Sequence, residues 1–210
     1  INTACPRIEH NKMINMKGLS TSKKEIKDIL TAWVVISLVI FIVTRGFGMG
    51  LLLGFIMGFL TVGIAFITHE LSHKIVAQKM GYSAEFEKFT PMLVISLVLA
   101  FIGFMFVAPG AVVIRGLGMT SEENGKISLA GPLSNLIIGF VGVVYSFFIT
   151  TGWLKGFLVF FAFVNCMIGL FNMIPFWVLD GRKIFAWNKR IYTGVLVMFF
   201  VLYVMIKFNI

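Results

Sequence analysis

Apolar residues run along this chain in long blocks rather than in alternation. Residues 29–44, 48–68, 91–114, 127–150, 156–174 and 191–206 are each dominated by Leu, Ile, Val, Phe and Met. A helix of about 20 apolar residues spans the roughly 30 Å of hydrocarbon in a bilayer. The first block follows Ser22-Lys23-Lys24-Glu25, which has the form of a capping box, and ends at Arg45-Gly46. The second continues without a breaker through His73 to about Met80, where Gly81 is a natural stop. Residues 83–90 alternate loosely around Phe86 and Phe89 and predict a short strand. The block at 91–114 is broken by Pro109-Gly110, and Ala111-Val112-Val113-Ile114 reads as strand. Residues 115–126 predict a polar loop, and Ala130-Gly131-Pro132 opens the next span. Pro175 ends the block at 156–174, and 180–190 is polar and basic. There is no internal repeat. The pattern predicts a membrane α-helical bundle with short β-strands, as one domain over 23–210 behind a polar tail at 1–22. Residues 1–12 have neither periodicity nor a signal-peptide pattern; they are expected to be an upstream read-through or a remnant, with Met13 or Met16 as the natural start.

Composition agrees. Hydrophobic residues make up 59% of the 210 positions and charged residues 13%, about half the charge of a soluble domain. The net charge of +9 would raise nucleic acid as a partner in a soluble protein. Here the Lys and Arg flank apolar segments, as the positive-inside rule expects, and no basic–aromatic surface pattern accompanies them. The expected surroundings are therefore a lipid bilayer, with no nucleic acid. Cys5 and Cys166 have no partner at metal or redox spacing, so no disulfide framework is expected.

The chemistry sits at the end of the second block, in His69-Glu70-Leu71-Ser72-His73. Charged and titratable groups are costly in a span and mark functional sites by default. On a helix, residues four apart share a face, so both imidazoles of this HExxH can reach one zinc ion. Glu70 can reach a water on that zinc; the metal lowers the water's pKa and the carboxylate takes its proton. A chance string on a solvated helix face is the bland alternative. Catalytic zinc takes a third protein ligand. His10 lies in the tail and Cys166 in mid-span, which leaves Asp180 as the best candidate. A lone aspartate after a span is equally a helix-end or turn residue.

Three motifs in order carry a resemblance. HExxH at 69–73 is followed by Gly131-Pro132-Leu133-Ser134-Asn135, then by Asn172-Met173-Ile174-Pro175 with Asp180-Gly181. Over about residues 48–183 the chain resembles the site-2 protease family of intramembrane zinc metalloproteases. The resemblance implies an enzyme that hydrolyses peptide bonds in or near transmembrane segments of membrane proteins. It implies one zinc per chain bound by His69, His73 and Asp180, with Glu70 as catalytic base. It also implies that Asn135 and Asn172 position substrate or the oxyanion; interhelical hydrogen bonding is the alternative for both. Asn165 lies seven residues before Asn172 on the same helix face and is not read as catalytic. Val178 stands in the stretch where many members have a second proline. There is no room for a PDZ domain, so the likeness is to the minimal core. Two rivals stand beside this reading: an inert membrane metal-binding or interaction protein on the same scaffold, and a HExxH enzyme of another membrane type. Glu70 argues against the first and the Asn172–Gly181 motif against the second.

The ligands also constrain topology. His69, His73 and Asp180 must meet on one side of the membrane, yet three apolar blocks intervene. One of them cannot cross once. The block at 91–114, with its internal break, is expected to be re-entrant, which is tolerated where it lines protein or a water-filled cavity. That leaves about five spans. With the N-terminus and the active-site opening cytoplasmic, 15 of the 18 Lys and Arg fall on the cytoplasmic side.

Overall fold

The structure is a computed structural model and describes residues 14–16, 19–44, 51–104 and 109–209. Cys5, His10, Met13 and the Arg45-Gly46 boundary lie outside the described residues. Among the described residues, five helical runs are long and apolar enough to cross a membrane. They are Lys23–Val43, Leu52–Lys79, Ser121–Phe147, Trp153–Asn172 and Lys189–Asn209.

In chain order, strands β1 (Ile14–Met16) and β2 (Leu19–Thr21) form an antiparallel hairpin before helix α1 (Lys23–Thr44). Ser20 N–H donates to Gln78 Oε1, and the Gln78 amide donates back to Ser20 O. Part of the stretch read as a polar tail is thus tied to the helix that carries the histidines. Ser22 Oγ accepts from Glu25 N–H, as the expected capping box requires. The return half of the box departs from expectation: the Glu25 carboxylate points into the protein and takes Lys74 Nζ and Phe86 N–H as partners.

The second span comprises α2 (Leu51–Gly58), a π-helical turn (Phe59–Gly63) and α3 (Ile64–Lys79). A π turn leaves a carbonyl out of the regular ladder, and Trp33 Nε1–H donates to Phe59 O there. Strand β3 (Ser83–Lys88) follows, then α4 (Thr90–Phe101), then β4 (Gly110–Arg115). β3 and β4 pair antiparallel in the register Ser83↔Arg115 to Lys88↔Gly110. The chain therefore leaves the ribbon after Lys88 and rejoins it at Gly110. At 12 residues, α4 is about 18 Å long and too short for the hydrocarbon thickness. The strand expected at 111–114 runs from Gly110 to Arg115, and residues 105–108 lie outside the described set.

One expectation is corrected at 121–126. These residues open helix α5 (Ser121–Phe147) instead of forming a loop. Thr120 Oγ1 accepts from Glu123 N–H, and Glu123 Oε2 accepts from Thr120 N–H. That reciprocal box satisfies two N-terminal donors and starts the helix. Helix α6 (Trp153–Asn172) packs on α5, and α7 (Asp180–Trp187) leads into α8 (Lys189–Asn209). The largest core cluster lies between α5, α6, α7 and α8 and includes Leu136, Ala162, Ile184, Phe199 and Leu202.

Candidate metal centre

α3 is continuous through His69 and His73, so the two imidazoles stand one turn apart on one face. Both are buried. His73 precedes the helix end at Lys79 by about one and a half turns, roughly 9 Å, so the pair lies within the candidate span. Asp180 reaches them from a different helix. It is the first residue of α7, where the helix dipole favours a carboxylate. Gly181 beside it packs against the Met173 carbonyl at the end of α6, and a side chain there would collide with that backbone. Tyr192 Oη–H donates to the same carbonyl at 3.0 Å, fixing the α6 end against α8.

The three side chains meet in a tight triangle. His69 Nε2 lies 3.2 Å from Asp180 Oδ2 and 3.1 Å from His73 Nε2. His73 Nε2 lies 3.1 Å from the same carboxylate oxygen. Among the described residues this is the one group of three such side chains able to hold a metal ion.

Hydrogen bonds on the far side of each ring decide what the triangle offers. Asn135 Nδ2 donates to Ala65 O and to Asn165 Oδ1, so its Oδ1 is the atom facing His69 Nδ1, at 2.6 Å. His69 Nδ1 must therefore carry hydrogen. His73 Nδ1 likewise donates to Ile127 O at 2.7 Å. Pro132 lies inside α5; its missing N–H and its ring loosen the backbone ladder at Ser128 O, the carbonyl next to that of Ile127. When neutral, both imidazoles consequently turn a lone pair on Nε2 toward the carboxylate. Three acceptors about 3 Å apart repel unless a cation sits between them. The edges match the roughly 3.3 Å spacing of tetrahedral ligands around zinc at 2.0–2.1 Å. The donor set fits zinc on that ground, and the outward N–H bonds are the usual partners of metal-bound histidines. Burial pushes the Asp180 carboxyl up, but with the imidazoles protonated in place of a metal ion the His73 charge and the imidazole N–H donors outweigh it and hold the group well below the usual carboxylate range. Asp180 is the anion of the site.

Gly131 lies directly against the triangle. A methyl group at this position would overlap Nε2 of both His69 and His73. Only a glycine lets the α5 backbone approach the triangle this closely.

Glu70 and the asparagines fall out differently. Glu70 Oε2 accepts Val112 N–H of β4 at 3.1 Å, which brings the ribbon up to the histidine helix. Asn135 is fully buried against His69. Asn172 donates to Ile168 O in its own helix, an intrahelical bond that does not reach the triangle. Asn165, set aside on sequence, is buried and supports Asn135, while its own Nδ2 donates to Phe161 O. Its spacing to Asn172 marked a polar helix face but carried no sign of the partner on α5.

A bundle with five membrane-length apolar helices and a buried His-His-Asp triangle defines a multi-pass membrane-type protein built to hold a metal ion. Comparison with known proteins supplies the rest. The chain is 39% identical over 158 residues to the Methanocaldococcus jannaschii protein named "Putative zinc metalloprotease MJ0611", covering 73% of this chain and 83% of that one. It is 28% identical over 128 residues to "Zinc metalloprotease MJ0392" of the same organism, covering 60% of this chain and 32% of the relative. It is 28% identical over 145 residues to "Putative zinc metalloprotease YwhC" of Bacillus subtilis, covering 60% and 65%. No family model matches the chain. No solved structure matches it. The chain belongs to the zinc metalloprotease family of these relatives.

Proposed function

We propose that this protein is an intramembrane zinc endopeptidase of the site-2 protease type, hydrolysing peptide bonds in or near transmembrane segments of membrane proteins. The observation that carries the reading is the triangle of His69, His73 and Asp180, whose two histidines lie within a membrane-length helix, with the Glu70 carboxylate next to His69. His69, His73 and Asp180 hold the ion, Asn135 and Ile127 O hold the two imidazoles, and Gly131 lets α5 pack close against both. Bound there, zinc supplies a Lewis acid that lowers the pKa of water and polarises a peptide carbonyl. Glu70 accepts the proton of the attacking water and passes it to the leaving amine. The side chains of His69, His73 and Asp180 are all buried.

A transmembrane substrate hides its peptide bonds in helical hydrogen bonds and must open locally before attack. The β3–β4 ribbon, lying against α3, offers main-chain groups to an extended segment. The return of the chain to Gly110 beside Lys88 supports a re-entrant 89–109 that keeps the ribbon and both ends of the loop on one face. With the basic residues distributed 15 to 3, that face is cytoplasmic.

The test is a paired measurement on purified protein in lipid vesicles: zinc by elemental analysis and cleavage of a synthetic transmembrane peptide. Wild type should carry one zinc per chain and cut the peptide, and His69→Ala and Asp180→Ala should lose both. Zinc at full occupancy in those two variants would overturn the ligand set. Stoichiometric zinc in wild type without cleavage of any membrane peptide would favour the inert metal-binding reading.

A further inference from the structure

We propose that Glu25 and Lys74, outside the metal triangle, are positioning residues that set the place of Glu70 through the β-ribbon. This rests on Glu70 being the base of the proposed reaction. Glu25 in the first turn of α1 is 1% exposed, and Lys74, the residue after His73, is 3% exposed. Lys74 Nζ donates to Glu25 Oε2 at 2.5 Å and to Thr21 Oγ1 at 2.9 Å. The other oxygen, Glu25 Oε1, accepts Phe86 N–H of β3 at 3.0 Å.

The register makes this more than a buried ion pair. Phe86 stands directly opposite Val112. Val112 N–H donates to Glu70 Oε2. Both amides of this one cross-strand pair therefore point outward, as in the non-hydrogen-bonded pairs of an antiparallel ladder. Each is taken by a carboxylate, Glu25 on the β3 edge and Glu70 on the β4 edge. The ribbon is clasped from its two sides at a single register position. Lys74 and Glu70 are four residues apart on α3, so the same helix supplies the cation that orients Glu25 and the base that meets Val112. Phe86 also packs edge-on against Phe66 of α3, with ring centroids 6.0 Å apart. The arrangement fixes the distance between α1, α3 and the ribbon, and so where the Glu70 carboxylate rests.

Replacing a buried ion pair with apolar side chains is often neutral for stability, which allows positioning to be separated from folding. Glu25→Leu with Lys74→Met removes both charges and the acceptor for Phe86 N–H. Glu25→Gln with Lys74→Met removes the charges but leaves an amide oxygen free for Phe86. Glu25→Gln alone has one oxygen for two donors; the Lys74 cation takes it, and Phe86 N–H is left facing an NH₂ group. Amide exchange by mass spectrometry and NMR, zinc content, kcat and KM are read on each protein in vesicles. The Leu/Met protein should keep its zinc and its KM. Its Phe86 and Val112 amides should lose protection, and kcat should fall on the order of a hundredfold, as a displacement of about 1 Å can cause. The Gln/Met protein should regain the protection and most of the kcat. Should the Leu/Met protein not fold, Glu25→Gln alone gives the same reading, with loss of protection at Phe86 and Val112. Wild-type protection of Val112 in both of these proteins, or wild-type kcat in a folded Leu/Met protein, overturns the proposal. If wild type itself cleaves nothing, the protease reading fails, while amide exchange still decides whether Glu25 holds Val112 at Glu70.

Discussion

Asn135 Oδ1 lies 2.6 Å from His69 Nδ1, and that bond determines which nitrogen of His69 faces Asp180. The Asn135 amide is itself oriented by Ala65 O and Asn165 Oδ1, so the chain of control runs from α6 through α5 to the histidine on α3. Replacing Asn135 with Leu removes the partner without touching a ligand. Zinc affinity should fall about 10–100-fold, measured by competition with a chelator. Unchanged affinity would mean that the ring is held by packing alone.

Gly131 is a steric test of the same centre. In Gly131→Ala the added methyl collides with Nε2 of both imidazoles. The variant should lose zinc while the apolar faces of α5 stay packed, so far-ultraviolet circular dichroism should be near wild type. Full zinc in Gly131→Ala would show that the metal does not sit between those two atoms.

Glu70→Gln should retain zinc and lose cleavage by a factor of at least about 10²–10⁴, the usual contribution of a positioned base. The carboxamide cannot accept the proton of the attacking water, and the three ligands are untouched. Turnover near wild type would remove Glu70 from the role of base.

Metal affinity should rise with pH. His69 and His73 bind a metal only as neutral imidazoles, so protons compete for the same nitrogens. Below the histidine pKa, affinity should drop by about tenfold per pH unit for each proton displaced. Isothermal titration in buffers of different ionisation enthalpy would count the protons released. No proton release under acidic conditions would be inconsistent with two histidine ligands.

The loop between β3 and β4 makes a topological prediction. Single cysteines at Ser83 and Ser121, both exposed, in a protein lacking Cys5 and Cys166, should react with a membrane-impermeant thiol reagent from the same side. Labelling from opposite sides would rule out a re-entrant 89–109.

The local sequence determined the membrane-length helices and the pairing of His69 with His73. Those depend on hydropathy over about 20 residues and on helical periodicity. The broken block at 91–114 also pointed to a strand at 111–114. Asp180 was one candidate on spacing, because three helices and two strands separate it from the histidines; what brings it in is the packing of Gly181 on Met173 and of Ile184 in the core. Thr120 and Glu123 form a capping box that was present in the sequence but read as loop amid polar neighbours. Glu25 looked like the return half of a cap at Ser22. Tertiary structure gave its carboxylate to Lys74 and Phe86 instead, since a buried charge must find its cation and donors wherever the fold supplies them. Asn165 likewise gained a role only when α5 and α6 packed, because a hydrogen bond between helices leaves no periodic trace along either one.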